Sequence, residues 1–368
     1  MTLGAWFHTI DPTALHITDA IQIRWYGLSY VLAFLIGWLV LRRLADRRLI
    51  AIPKERAGDA ILLLMVGVLV GGRLGYVLLY EPSLMWSFDS SPPWWGLLAT
   101  NRGGMASHGG MIGVVLACLA IARGWRGPEQ ERIGRCSPLH VMDAMALVAP
   151  IGLFLGRIAN FVNGELLGRI VAMPGQPAPW WAVRFPQEVL SGHEPNLSPE
   201  QQEALYQVVS PWMSQGLSFQ SAYQRVLDAI HRGSPELVRQ LEPLISARHP
   251  SQLYQAFAEG IVLGSVLWWI WRKPRVPGVI GAWFLIVYGV LRIATEFWRL
   301  PDAHLAVQRP MGMSRGQWFS AAMIVIGVGV LIHVLRRGGT RVYGGWMRRA
   351  GPAAQGTGTQ RGHEETGA

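Results

Sequence analysis

The chain has 368 residues, of which 51% are hydrophobic and only 15% are charged, and its formal net charge is +10. A soluble domain carries about 25% charged residues, so this composition excludes an ordinary water-soluble enzyme. The positive charge does not indicate a nucleic-acid partner, because the arginines stand between apolar runs, as they do in proteins at membranes. Only two cysteines occur, which excludes a disulfide framework or a cysteine metal cluster.

Seven stretches are long and apolar enough for transmembrane helices, which need about 20 mostly apolar residues. In chain order they are 22–41, 58–80, 104–122, 139–161, 252–271, 278–298 and 316–335. Seventeen tryptophans and 43 glycines agree with this, because membrane proteins place tryptophan at interfaces and glycine within spans. We therefore predict an all-α membrane protein with seven transmembrane helices.

The loops differ in their basic residues, and this difference predicts the orientation of the chain. Basic residues cluster after the first, third and fifth spans and again after the seventh, whereas the loop between the second and third spans offers only Arg102. The positive-inside rule then places the N-terminus outside and the C-terminus in the cytoplasm. An odd number of spans requires the same arrangement.

Two segments lie outside the predicted spans. Residues 164–250 form one long external loop, and apolar residues at helical spacing between 198 and 244 predict a small helical cap there. Residues 336–368 begin with arginines and continue with Gly, Ala, Gln and Thr, which predicts a basic and then disordered tail. We expect residues 1–335, including the cap, to form one unit.

Polar side chains inside the spans are candidates for function, because an ionisable group at the centre of a membrane helix costs about 2.5–3.5 kcal/mol on insertion scales. Within the spans these are Arg73, His108, Arg157, Asn160, Tyr288, Arg292 and Glu296, and the same motifs carry Asn163, Glu165 and Arg299 just beyond the span ends. Tyr26, near the outer end of the first span, is either an interfacial aromatic or a lipid contact.

The spacing of these residues places several of them on shared helix faces. Tyr288, Arg292 and Glu296 are four residues apart, and Arg157 lies three residues before Asn160. Arginines that turn inward from two helices repel each other unless an anion lies between them. Phosphate suits that position, because the arginine fork binds it bidentately and keeps its charge.

Each candidate also has a structural interpretation. Arg73 and Arg299 are as well explained by snorkelling or a structural ion pair as by a ligand. Glu296 neutralising Arg292 is the favoured interpretation over direct chemistry, and Asn163 suits a hydrogen bond at a helix end. His108 is flanked by glycines, which are unfavourable inside a helix and typical of the wall of a cavity. We therefore favour a functional role for His108 over a role in packing.

Six motifs occur in the chain and are similar to those of one enzyme family. They are IRWYGL at 23–28, GGRLGY at 71–76, SHGG at 107–110, GRIANFVNGELLGR at 156–169, RHPSQLY at 248–254 and LRIATEFWRLPD at 291–302. In this order they resemble the prolipoprotein diacylglyceryl transferases, and the resemblance spans residues 20 to about 335. The chain departs from the pattern at Gln255, where many relatives have Glu, and in a longer external loop.

The resemblance implies an alkyl transfer in the bacterial inner membrane. The diacylglyceryl group of phosphatidylglycerol moves to the cysteine thiol in the lipobox of a prolipoprotein signal peptide, and glycerol phosphate leaves. No metal, nucleotide or other cofactor is expected. Because Glu165 and Gly168 open the external loop, the active site is expected to face the periplasmic leaflet, and both substrates are expected to enter laterally from the bilayer.

The resemblance also assigns roles to the polar residues. Arg157 and Arg292 are carried over as catalytic residues that bind the headgroup and stabilise the leaving group. His108 is the candidate base, although the arginines alone could lower the pKa of the thiol. The expected substrate-binding residues are Tyr26, Arg73, Asn160, Glu165, Gly168, Tyr288, Glu296 and Arg299.

Two other functions compete with this interpretation. A transporter or channel would also place charges inside the bundle, but the ordered motifs and the lack of a long internal repeat argue against it. An enzyme that attacks phosphatidylglycerol at phosphorus usually needs a metal site, and the sequence has no Asp, His and Cys cluster of that kind.

Overall fold

The computed structural model describes residues 4–17, 22–90, 92–100, 103–192, 195–300, 314–338 and 342–347. The helices are α1 (Trp25–Asp46), α2 (Ala57–Leu79), α3 (Ser107–Ala122), α4 (Pro138–Asn163), α5 (Pro199–Met213), α6 (Phe219–His231), α7 (Pro235–Leu241), α8 (Ser251–Gln255), α9 (Leu263–Ile270), α10 (Val279–Glu296) and α11 (Arg315–Arg337). A π-helical segment, Ala256–Val262, joins α8 to α9 into one continuous helix.

All seven predicted spans are helical, and six of these helices are long and apolar enough to cross a membrane. The exception is α3, whose 16 residues span about 24 Å at 1.5 Å per residue, less than the roughly 30 Å of a hydrocarbon core. Large apolar side chains such as Leu39, Leu69 and Val325 are exposed on the outside of the bundle, as lipid contact requires. The chain is a multi-pass membrane protein, and the count of seven spans stays a prediction.

Glycines bring α2 and α3 into backbone contact. A Cβ atom on Gly113 would lie 1.8 Å from the carbonyl oxygen of Gly67, and one on Gly109 would lie 2.2 Å from that of Gly71. Small residues four apart allow this close packing in membrane helices, where dispersion replaces the hydrophobic effect. The contact fixes the first turn of α3, which carries His108.

The π-helical segment positions a buried carboxylate. It packs against α4 so closely that a Cβ atom on Gly260 would lie 2.5 Å from the Cβ of Phe154. One extra residue per turn shifts the face of the helix, and such bulges are frequent at functional sites. The shift occurs at Glu259, whose side chain is fully buried between α4 and α10.

Residues 164–250, called the cap here, contain a sheet as well as the predicted helices. The strands along the described chain are β1 (Trp6–Phe7), β2 (Thr13–His16), β3 (Gln22–Arg24), β4 (Trp125–Arg126), β5 (Arg132–Ile133), β6 (Ile170–Ala172), β7 (Val183–Arg184), β8 (Ala247–Arg248), β9 (Pro274–Arg275) and β10 (Tyr343–Gly344). Of these, β6, β7 and β8 lie in the cap. One four-stranded sheet has the order β1-β7-β8-β6, so a strand from the N-terminus completes it. The helices predicted in the cap are present as α5, α6 and α7, and the sheet is an addition that the sequence did not predict.

The helices of the cap pack on their own apolar core. Tyr223, Val226 and Ile230 of α6 are buried against Val209 of α5 and Phe7 of β1. Their spacing of three and four residues is the periodicity that predicted helices in this region. The cap is thus a folded unit fixed to the bundle through its sheet.

His8 joins the cap to α4 and predicts a pH dependence of stability. Its Nε2 lies 2.9 Å from the carbonyl oxygen of Phe161, and burial lowers the pKa of the imidazole from 6.5 to about 4. The unfolded state then binds more protons than the folded state between these values, so stability falls as the pH drops from 6.5 towards 4. The expected loss is about 3 kcal/mol.

Thermal unfolding of the purified protein between pH 8 and pH 4 measures this loss. His8→Gln removes the titrating group, and its melting temperature should fall less over the same range. An equal fall in both proteins would contradict the assignment to His8.

The opposite end of the bundle is closed by side chains and by the C-terminal strand. Asp143 accepts hydrogen bonds from the backbone amides of Gly278 and Gly281, both at 2.7 Å, and so caps α10. Strand β10 pairs with β9, and the ring of Tyr343 stacks on His140 with centroids 3.6 Å apart. Within the predicted disordered part of the tail, residues 342–347 are therefore ordered, whereas residues 339–341 and 348–368 lie outside the described residues.

Candidate active site

A buried ion pair forms the centre of the site. The Nε of Arg157, on α4, donates to Oε2 of Glu259 at 3.0 Å. The carboxylate is fully buried, while the arginine side chain is 16% exposed. Glu259 therefore engages one edge of the guanidinium, and the exposed part of the side chain can meet a ligand.

A second arginine reaches the same carboxylate from α10. The Nε of Arg292 lies 4.0 Å from Oε1 of Glu259, and its Nη1 donates to Oε2 of Glu296 at 2.8 Å. Glu296 also accepts a hydrogen bond from the hydroxyl of Ser314, the N-cap of α11, at 3.1 Å. The four-residue spacing on α10 predicted the Arg292–Glu296 contact, and the structure has it.

The anion between the two arginines is a protein side chain. The sequence predicted that an anion must separate them, and phosphate was the suggested occupant. In the structure Glu259 is in contact distance of both guanidinium groups. Its carboxylate offsets the repulsion, and a phosphate would have to bind at the exposed edges of the arginines.

Hydroxyl and amide groups surround this centre. The Tyr288 hydroxyl interacts with Arg157, and the Tyr26 hydroxyl is close enough to interact with Asn160 and Glu165. The amide of Asn160 donates to Glu165 at 3.3 Å. These predicted site residues therefore gather around Arg157, at the end of α4 that adjoins the cap.

The loop after α4 is fixed through its backbone carbonyls. Gln252 donates from Nε2 to the carbonyl of Glu165 at 2.5 Å, Ser251 donates to Leu166 at 3.1 Å, and Arg248 donates to Gly168 at 3.1 Å. Gly168 also forms an isolated bridge with Arg299. The RHPSQLY motif thus holds the loop that carries Glu165.

An ion pair inside the cap supports this arrangement. Arg248 and Glu188 are both buried, and their side chains meet at 2.6 Å. The same carboxylate accepts hydrogen bonds from the amide of Ser246 at 2.7 Å and from its hydroxyl at 2.5 Å. Because a buried arginine needs its charge and donors satisfied, Glu188 fixes the guanidinium that binds the carbonyl of Gly168.

Arg73 makes its contacts with another part of the chain. Its guanidinium donates to the carbonyls of Leu97, Gly103 and Gly104 at 2.7, 2.8 and 2.9 Å, and to Gly96 at 2.5 Å. The structure thus uses the buried side chain to hold the connection between α2 and α3. The contacts described for Arg73 are with backbone carbonyls, so they match neither snorkelling nor the ion pair with a carboxylate that the sequence suggested. The predicted role of Arg73 in substrate binding stays a prediction.

His108 lies in the first turn of α3 and faces α11. Its ring packs against Phe319 with centroids 4.9 Å apart. In the described part of the chain, no hydrogen bond or ion pair joins His108 to Arg157 or Arg292. The histidine therefore borders the start of α11, as Glu296 does through Ser314. The predicted role of His108 as a base stays a prediction.

Comparison with known proteins identifies the family. Residues 12–333 match the family described as prolipoprotein diacylglyceryl transferase. A phosphatidylglycerol–prolipoprotein diacylglyceryl transferase of Bdellovibrio bacteriovorus is 40% identical over 356 residues, which cover 93% of this chain and 97% of the relative. Enzymes of the same name from Idiomarina loihiensis and Ralstonia pickettii are 34% and 38% identical, over 90% and 89% of this chain and 96% and 95% of their own.

The chain belongs to the prolipoprotein diacylglyceryl transferase family. The resemblance seen in the motifs is thereby confirmed. In this transferase, the motif at 156–169 meets the motif at 248–254 through the hydrogen bond of Arg248 to Gly168, and it meets the described part of the motif at 291–302 through the bridge between Gly168 and Arg299. The roles of the individual residues stay predictions.

Sequence reasoning missed the carboxylate at the centre of the transferase. Glu259 was not among the candidates, although it stands within an apolar stretch of the predicted span 252–271. The cost of an ionisable group inside a membrane helix, which made the other polar residues candidates, applies to Glu259 equally. The hydrogen bonds of Ser251 and Gln252 to the Glu165 loop were also missed, because no local pattern predicts a contact across more than 80 residues.

Proposed function

We propose that the protein transfers the diacylglyceryl group of phosphatidylglycerol to the lipobox cysteine of prolipoproteins. The family match and the names of the relatives support this reaction. The observation that carries the proposal is the pair of arginines, which reach one site from two helices and are each partly exposed. A phosphate ester is the group that such a pair recognises best.

The arrangement suits an alkyl transfer in which carbon is attacked. The thiolate forms a C–S bond to the terminal glyceryl carbon, the C–O bond to phosphate breaks, and glycerol phosphate leaves with the electron pair. Charge grows on the departing phosphate oxygen, and fixed guanidinium donors stabilise it because they need no reorganisation. Arg157 and Arg292 supply these donors.

The surrounding residues would orient the lipid. Tyr26, Asn160 and Glu165 form a polar group beside Arg157. Tyr288, one helical turn before Arg292 on α10, interacts with Arg157. Hydroxyl and carboxylate groups of this kind can bind the glycerol of the headgroup. Arg73 and Arg299 are proposed to act through the loops that they hold.

We place the protein in the bacterial inner membrane with the cap on the periplasmic side. The distribution of arginines along the chain supports this orientation. The arginine pair lies at the cap end of the bundle, next to the loop of Glu165. Lipid and signal peptide would both arrive through the bilayer, where exposed apolar side chains line the helices.

His108→Gln tests the proposed base. If His108 accepts the thiol proton, kcat should fall about 100-fold, because general-base catalysis contributes at least that much. The pH dependence of the remaining activity should then follow the ionisation of the peptide thiol alone. Full turnover of the variant would remove His108 from the mechanism and leave thiolate formation to the arginines.

A transfer assay tests the function itself. Purified protein in detergent receives phosphatidylglycerol and a lipobox peptide, and mass spectrometry follows the peptide while glycerol phosphate is measured in solution. The peptide should gain one diacylglyceryl group for each glycerol phosphate released, and a Cys→Ser peptide should give neither product. Release without the cysteine would indicate a lipid hydrolase instead.

A further inference from the structure

We infer that Glu259 is a positioning residue that orients the two site arginines and limits the negative charge that the lipid headgroup can carry. The inference rests on the proposed function, since it concerns the same lipid site. It assigns to one buried carboxylate both the placement of Arg157 and the discrimination between phosphodiester and phosphomonoester lipids.

The geometry around Glu259 supports the orienting role. Its carboxylate contacts Arg157 through one oxygen at 3.0 Å and lies 4.0 Å from Arg292 through the other. The side chain is fully buried in a π-helical segment packed against α4. A fixed anion behind both guanidinium groups directs their remaining donors away from itself, towards the exposed side of the site.

The two arginines differ in how tightly they are held. Arg157 makes a close hydrogen bond with Glu259, whereas Arg292 is tied to Glu296 at 2.8 Å and only approaches Glu259. The Oε1 atom of Glu259 is buried and has no hydrogen-bond partner among the described residues. Arg157 should therefore depend on Glu259 more strongly than Arg292 does.

The charges of these groups limit the ligand. The formal charges of Arg157, Arg292 and the carboxylates of Glu259 and Glu296 sum to zero. A bound phosphodiester therefore adds one negative charge to these groups, and a phosphomonoester adds up to two. In a partly buried site each uncompensated charge is unfavourable. Glu259 thus disfavours a phosphatidic acid headgroup more than a phosphatidylglycerol headgroup.

The test compares three variants in transfer and in lipid binding. Glu259→Gln keeps a hydrogen-bond acceptor without the charge, Glu259→Ala removes both, and Glu259→Asp keeps the charge with a shorter reach. Asp143→Asn is the matched control, because this buried carboxylate caps α10 at the other end of the bundle. Binding is measured by intrinsic tryptophan fluorescence at pH 8 with phosphatidylglycerol or phosphatidic acid in phosphatidylethanolamine vesicles.

The expected results separate charge from structure. Glu259→Gln should bind phosphatidylglycerol about threefold to tenfold more tightly and phosphatidic acid more tightly still, with a lower KM and a kcat reduced about tenfold. Glu259→Ala should lose about 100-fold in kcat. Glu259→Asp keeps the buried negative charge, so it should fold, keep the lipid preference and lose kcat. Asp143→Asn should change the melting temperature but neither kinetic constant.

Two outcomes would overturn the inference. One is an unchanged ratio of phosphatidic acid to phosphatidylglycerol affinity in folded Glu259→Gln. The other is unchanged kcat in both Glu259→Ala and Glu259→Asp. Because lipid binding needs no transfer, a protein that binds with this charge dependence but releases no glycerol phosphate would contradict the proposed reaction alone.

Discussion

Replacing Arg157 by alanine is expected to lower kcat/KM for lipid transfer by about 1000-fold. The variant loses a donor that stabilises the departing phosphate, an effect of about 100-fold to 1000-fold for one fixed donor. It also leaves Glu259 buried without its closest partner, so the fixed anion next to Arg292 is no longer balanced. Initial rates at several lipid concentrations measure the change.

Arg157→Lys and a folding measurement complete this test. Lysine keeps the positive charge but loses the fork, so it should fold and still lose most of the activity. Removing one member of a buried ion pair destabilises by about 3–5 kcal/mol, and thermal unfolding of the alanine variant reports this separately. Near-normal rates in folded Arg157→Ala would exclude Arg157 from the catalytic site.

Replacing Gly168 by alanine is expected to lower kcat/KM by about 100-fold. A Cβ atom at this position would lie 2.1 Å from the carbonyl oxygen of His249. Two backbone segments meet there, so the loop must move, and it carries the carbonyls fixed by Arg248 and Gln252. A displacement of about 1 Å in a positioning element costs about 100-fold.

The same motif contains a matched control for the Gly168 variant. A Cβ atom on Gly156 would meet no neighbouring group within 4 Å. Gly156→Ala should therefore leave kcat/KM unchanged while adding a better helix former to α4. Equal losses in the two alanine variants would show that the steric argument at Gly168 is wrong.

The transmembrane helices could be predicted from the sequence because their signal is local. About 20 consecutive apolar residues form a helix in lipid whatever lies elsewhere in the chain. The predicted ends agree closely with α4, for which 139–161 was expected and Pro138–Asn163 is found. The third helix, predicted as 104–122, begins only at Ser107. Gly103 and Gly104 have positive φ, and their carbonyls accept hydrogen bonds from Arg73, so the chain is not yet helical there.

The sheet of the cap could not be predicted from the sequence. Its strands have two or three residues each, too few for an alternating pattern, and Trp6 pairs with Val183. The ordered strand at Tyr343–Gly344 was missed for the same reason, since its partner at Pro274–Arg275 lies far away in the chain. Such pairings depend on tertiary contacts rather than on local propensity.

The candidate site was predicted in part. Spacing along α10 predicted that Glu296 meets Arg292, and the structure has this contact. The resemblance gave Asn160 and Glu165 as residues of one site, and the structure joins them by a hydrogen bond. The position of Glu259 between the arginines required the π-helical shift and the packing of three helices. A residue list can identify the charges, but their pairing is a property of the folded bundle.

In the proposed reaction a glyceryl carbon, and not phosphorus, forms the new bond to the peptide thiol. Phosphatidylglycerol labelled in its diacylglyceryl glycerol with one isotope and in its phosphate with another tests this most directly. We expect the lipobox peptide to acquire the glyceryl label and all of the phosphate label to appear in water-soluble glycerol phosphate. Phosphate label on the peptide would contradict the proposed alkyl transfer and indicate a phosphoryl transfer.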